Sequence, residues 1–116
     1  MEKIKLSNIK YDKNGLVPVI VQDFKTHKVL MLAYSNKEAI ELSLKKKTAH
    51  FWSRSREELW LKGATSGNYL KIINVLIDCD NDSLVYKVDL DNKQACHTGE
   101  ESCFFKEIKD EWDYSL

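Results

Sequence analysis

Asp78, Asp80 and Asp82 stand at every second position of "LIDCDNDSLV", with Cys79 between the first two. Carboxylates this close repel one another unless a cation compensates. All-oxygen ligation suits Mg²⁺ or Ca²⁺, whereas a thiol suits a softer metal. The triplet fills positions 1, 3 and 5 of an EF-hand pattern. Ser83, however, stands where that loop needs Gly, and Asp89 where it needs a bidentate Glu. Both flanks are β-branched rather than helical, so an EF-hand is excluded. Read as a strand end, the stretch projects Asp78, Asp80 and, if the extension persists, Asp82 to one face and Cys79 to the other. One ion can hardly use them all. A solvated acidic turn is the plain alternative.

Two further cysteines lie in "ACHTGEESC", Cys96 and Cys103, and no C-x-x-C knuckle occurs. A closed structural zinc site takes four ligands. Three thiolates instead leave a position for water, which zinc acidifies towards about pH 7. His97 could be a fourth ligand or a general base just outside the metal shell. Buried thiols acting as small apolar groups are the alternative. The H-x-E and P-C-x-x-C pattern of zinc nucleobase deaminases is absent.

The third constellation is "WSRSREELWLKGATSGN", residues 52–68. In a strand Arg54 and Arg56 share one face and Ser53 and Ser55 the other, and two guanidinium forks suit bidentate phosphate recognition. Lys62, Thr65 and Ser66, with the surrounding glycines and Asn68, add hydroxyl and backbone N–H donors. This is not a P-loop. A solvated strand face with an ordinary hairpin loop is the alternative, and Trp52 and Trp60 read as core rather than as stacking platforms.

The elements that must position these groups are mostly strands. "LVPVIVQD" (16–23) and "KVLMLAY" (28–34) read as strands joined by a turn at "FKTH", and Pro18 favours an edge position for the first. "SNKEAIELSLKKK" (35–47) reads as a helix. Ser35 and Glu38 have capping-box spacing, and Glu41 and Lys45 form an i,i+4 pair. "TAHFWSRS" (48–55) and "ELWLKG" (58–63) follow as strands. "YLKIINVLID" (69–78) and "SLVYKVDL" (83–90) form a hairpin around the acidic triplet, and residues 94–108 a loop leading into a last short strand. The expectation is a small, β-rich α+β domain of mostly short antiparallel strands with one main helix, spanning 1–116.

Composition agrees with a globular chain: 116 residues, 43% apolar, 31% charged and one proline. Eighteen basic and 18 acidic residues give a net charge of zero, which argues against a non-specific nucleic-acid binder. "MEKIKLSNIKYDKNG" lacks an apolar signal segment and "VLMLAY" is too short to span a bilayer. A cytoplasmic location without membrane association is expected. An odd number of cysteines argues against a closed disulfide framework.

Together and in this order, "WSRSREELWLKGATSGN", "DCDND" and "ACHTGEESCFF" resemble phosphoribosyl-AMP cyclohydrolase of histidine biosynthesis. With "VLMLAY" and the following helix, the resemblance covers about residues 15–108. It implies hydrolytic opening of the adenine ring of 1-(5-phosphoribosyl)-AMP at the N1–C6 bond by zinc-activated water. It implies an intertwined homodimer with sites at the interface and no nucleic-acid partner. Zinc, one per subunit, would be held by Cys79, Cys96 and Cys103, and Mg²⁺ by Asp78, Asp80 and Asp82. His97 would transfer protons, while Ser53, Arg54, Ser55, Arg56, Lys62, Thr65 and Ser66 would hold substrate phosphate or ribose. The acidic stretch then reads as two sites back to back, with Cys79 facing a zinc whose other thiolates come from the partner chain.

There are departures. Many relatives carry Glu where this chain has Ala64, and often Arg where it has Glu100 and Glu101. Some are fused to a pyrophosphohydrolase domain, whereas the single-function form is expected here. A reading of a different class is a non-catalytic, zinc-stabilised module that binds a phosphorylated nucleotide.

Overall fold

Val17, Val19 and Val21 alternate along β1 (Val17–Asp23), and all three are fully buried. This is the period-2 signature of a strand with one face on the core. The computed structural model describes residues 3–91 and 93–109. β1 turns back through Phe24–Lys28 into β2 (Val29–Ser35). His27 takes a positive φ in that turn and donates its N–H to Asp23 O at 2.9 Å.

Helix α1 (Lys37–Lys46) follows at once. Its cap is Asn36, whose Oδ1 accepts from Ala39 N at 2.9 Å, rather than Ser35 with Glu38. Ser35 is buried, and its hydroxyl bonds instead to His50 O and Tyr86 OH. Glu41 pairs with Lys37 at 4.0 Å, one turn before the expected Lys45. Ala39, Ile40 and Ser43 form the buried stripe, and Lys47 ends the helix in the left-handed region. Ser43 Oγ accepts from His50 N at 2.8 Å and donates towards Ala39 O, which fastens α1 to β3 (His50–Ser53).

β4 (Glu58–Leu61), β5 (Lys71–Ile77) and β6 (Leu84–Asp89) complete a six-stranded mixed sheet in the order β4-β3-β2-β1-β6-β5. Every neighbouring pair is antiparallel except β1 and β6, which are parallel. β1 is therefore central and not at an edge. Pro18 is tolerated because β6 pairs only from Val19 onward, so the missing N–H costs no ladder bond. Thr48 bridges to Lys71, and Ala49 N donates to Leu70 O at 2.9 Å. These contacts draw β5 towards the far side of the sheet and curl it around the core. Phe51 and Tyr86 stack there with centroids 5.5 Å apart, and Trp60 packs on Phe51 as expected of a core residue. Among the described residues no strand follows Cys103, and no helix is long and apolar enough to cross a membrane.

Candidate active and metal-binding site

The acidic stretch is the β5–β6 turn. β5 stops at Ile77, whose partner is Leu84, and Asn81 at φ +62° reverses the chain. Strand alternation therefore does not reach Asp80 and Asp82, as the extended reading required. The three carboxylates converge for another reason. Asp78 Oδ1 accepts from Asp82 N at 3.0 Å and Ser83 N at 3.2 Å, folding the turn over its own side chain. One oxygen from each of Asp78, Asp80 and Asp82 then lies within 4.8 Å of the others, an all-oxygen set that fits a hard cation. The N–H of Asp82 leads the bonds that hold the Asp78 carboxyl below its ordinary range. Asp82 is pushed up, first by its hydrogen bond with Asp78 and then by slight desolvation and the neighbouring charges of Asp78 and Asp80.

The second cluster is built by the loop after β6. Ala95 N donates to Glu101 O at 3.0 Å and Cys96 N to Glu100 O at 3.2 Å, closing the loop on itself. Cys103 N donates to Leu30 O at 2.7 Å and Ser102 Oγ to Val29 O at 2.8 Å, fastening it to the start of β2. Backbone bonds of this kind stand where a last strand was expected. The result holds Cys96 and Cys103 on one loop, close enough for each thiol to influence the other's titration. Thr98 Oγ1 lies 3.0 Å from Cys96 Sγ. Thr98 is the main cause of a lowered Cys96 pKa, with Cys103 and the Lys62 charge adding to it. Burial first, then the charge of Cys96, raises Cys103. Two neighbouring thiols, with the thiolate of one favoured by its hydroxyl neighbour, fit a zinc site. His97 is exposed on the same loop. Glu101 is engaged with Lys28 at 4.0 Å.

Cys79 is exposed beside the acidic turn, on the wall of a cleft of about 520 Å³ that Ile9, Ile40 and Leu44 also line. Among the described residues the aspartate triplet is the only trio of potential ligands gathered within the chain. The three cysteines do not form a second.

The basic constellation divides. β3 ends at Ser53, and Arg54–Glu57 form the hairpin turn to β4, with Glu57 at φ +52°. The two arginines consequently do not share a strand face, because the turn sends them apart. Arg54 Cζ lies over the Tyr34 ring, 3.8 Å from its centroid. Arg56 Nε faces Glu58 at 3.8 Å. Ser53 Oγ accepts from Arg56 N at 3.3 Å and lies 3.5 Å from Ser55 Oγ, so it shapes the turn. Trp52, half-buried, lines the recess beside Arg54 with Tyr34 and Trp60.

Lys62, Thr65 and Ser66 sit at the opposite end of β4, roughly 13 Å away along a four-residue strand. Lys62 is 8% exposed, with its ammonium 5.8 Å from the Trp60 centroid and its charge felt by both thiols. Thr65 and Ser66 are exposed, and Ser66 Oγ accepts from Asn68 N. The loop depends on Gly63 at φ +96°. A Cβ there would meet Asn68 C and Tyr69 N at 2.5 Å.

Residue-by-residue reading of the sequence did not single out Thr98 or Tyr34. Thr98 had a signal, a hydroxyl two residues after a candidate ligand. Tyr34 had none, since its partner arrives through the β2–β3 pairing.

Comparison with known proteins then gives a consistent result. The sequence model described as phosphoribosyl-AMP cyclohydrolase matches residues 31–105. A phosphoribosyl-AMP cyclohydrolase of Chloroherpeton thalassium is 52% identical over 109 residues, covering 93% of this chain and 77% of the relative. One from Archaeoglobus fulgidus is 52% identical over 101 residues, covering 87% and 93%. A bifunctional histidine biosynthesis protein of Aquifex aeolicus is 50% identical over 101 residues and extends well beyond the match, which covers 49% of it.

Proposed function

The chain belongs to the phosphoribosyl-AMP cyclohydrolase family, a hydrolase of histidine biosynthesis, and we propose that it opens the adenine ring of 1-(5-phosphoribosyl)-AMP at the N1–C6 bond in a single-domain, cytoplasmic homodimer. In this reading Cys96 and Cys103 of one protomer hold zinc together with Cys79 of a second copy, and Asp78, Asp80 and Asp82 hold Mg²⁺. The observation that carries it is that the backbone bonds of one loop place Cys96 and Cys103 beside the start of β2, while Cys79 stands in the β5–β6 turn and gathers with neither into a ligand trio among the described residues, which leaves a thiolate set to be completed from outside the protomer. The apolar outer face of the sheet adds support. Ile20 and Leu32 are cross-strand partners, 38% and 48% exposed, and would gain from being covered by a second copy.

Zinc, when bound, supplies acidification of a water molecule near neutral pH. The residues do the rest. Thr98 lowers the Cys96 pKa and so favours its thiolate, and the buried Lys62 charge favours both thiolates. Hydrolysis adds the water oxygen to C6, breaks N1–C6 and delivers a proton to N1. His97, next in sequence to Cys96 and exposed, is the residue assigned in this reading to move that proton. The substrate carries two phosphate groups. The Ser53–Arg56 turn and the Lys62–Ser66 loop, at opposite ends of β4, are two donor clusters suited to such a molecule.

The test follows ring opening by ultraviolet absorbance with phosphoribosyl-AMP, with metal analysis of the same samples. Expected are about one zinc per protomer, loss of turnover on chelation, and loss of zinc and turnover in Cys96→Ser. Full turnover by metal-free protein would overturn the zinc reading.

A further inference from the structure

Tyr34 and Trp52 face each other across β2 and β3 as the one paired position between those strands. Arg54 lies two residues beyond Trp52, so the side-chain period returns it towards the Tyr34 side just as β3 gives way to the turn. Its guanidinium carbon lies over the Tyr34 ring, 3.8 Å from the centroid, the separation of a cation–π contact. Among the described residues Arg54 has no carboxylate within ion-pair distance, whereas Arg56 faces Glu58. An arginine stacked face-on keeps its N–H groups in the plane, directed outward and available to a two-oxygen acceptor. The stack removes the rotamer freedom that an exposed arginine would otherwise lose on binding.

We propose that Tyr34 is a positioning residue for substrate binding, whose ring holds Arg54 ready for a phosphate of the substrate. The inference rests on Arg54 being a phosphate contact, as in the function proposed above. The ring's face does the work and its hydroxyl is not needed. A binding-competent arrangement populated in advance raises apparent affinity in proportion to that population and leaves the chemical step alone.

The test is steady-state kinetics on the zinc-loaded enzyme, with a thermal melt on each variant. Tyr34→Leu is expected to raise KM by about three- to tenfold with kcat unchanged. Tyr34→Phe keeps the ring and is expected to restore the native KM. In an Arg54→Ala background Tyr34→Leu should cause no further rise, since the two act as one unit. If Tyr34→Leu does not fold, Tyr34→Gln takes its place. A high KM for Arg54→Ala beside a native KM for Tyr34→Leu would overturn the role of Tyr34. So would an equal defect in Tyr34→Phe, or a fall in kcat alone. A native KM for Arg54→Ala would instead overturn the assignment of Arg54 on which the inference stands.

Discussion

Thr98 Oγ1 stands 3.0 Å from Cys96 Sγ, a hydroxyl aimed at the more acidic member of the thiol pair. Partners of this kind orient a ligand and tune its charge, and their loss commonly lowers metal affinity by about 10- to 100-fold. Thr98→Ala is therefore expected to weaken zinc binding by about tenfold, read by competition with a chromophoric chelator. Thr98→Ser keeps the hydroxyl and should stay near native. Equal affinity in all three proteins would remove Thr98 from the metal site.

The proposed sharing of zinc between two protomers makes a second prediction. Cys79→Ser and Cys96→Ser should each be inactive alone. Mixed, they should form heterodimers in which one site is damaged twice and the other is whole, as two-fold symmetry requires. Recovery of turnover on unfolding and refolding the two together checks it. Two variants that stay inactive in verified mixed dimers would mean that each protomer builds its own site.

The acidic turn sets a pH dependence. Asp82 is raised by its contact with Asp78, while Asp78 is lowered by the backbone N–H groups it accepts. As pH falls, Asp82 takes a proton first, and cation binding must displace that proton. Mg²⁺ affinity should accordingly fall as pH drops through the raised Asp82 value, and binding should release a proton in that acidic range but not above it. Calorimetry in buffers of different ionisation enthalpy measures the release. Asp82→Asn should bind more weakly and lose that proton; undiminished release from the variant would point to another group.

Gly63 offers a stability prediction. Gly63→Ala combines an unfavourable positive φ with a Cβ 2.5 Å from the backbone at Asn68 and Tyr69. About 3 kcal/mol of destabilisation is expected, read by denaturant titration. A native midpoint would show that the loop relaxes freely.

Much of the architecture was legible because hydrophobic alternation acts locally. The β5–β6 hairpin, the β1–β2 turn and helix α1 all followed from short windows of residues. What was not legible depends on partners distant in the chain. Pro18 argued for an edge, but the parallel neighbour β6 that makes β1 central begins one residue later, at Val19. Ser35 resembled a cap, yet its hydroxyl was needed in the core by Tyr86 and Asn36 took the cap instead. The candidate residues were found by type and spacing, but their geometry was not. Arg54 and Arg56 were separated by a turn, and the three aspartates were gathered by one.

The bonds from Ser102 to Val29 and Leu30 span 73 and 72 residues. Local hairpins close quickly, and contacts of such separation form late because a long loop must be closed first. The Cys96–Cys103 pair thus comes into being only when synthesis has passed Cys103 and the sheet stands ready to receive it. If Cys96 and Cys103 hold zinc as proposed above, their half of the site can be complete only after these long-range bonds have formed.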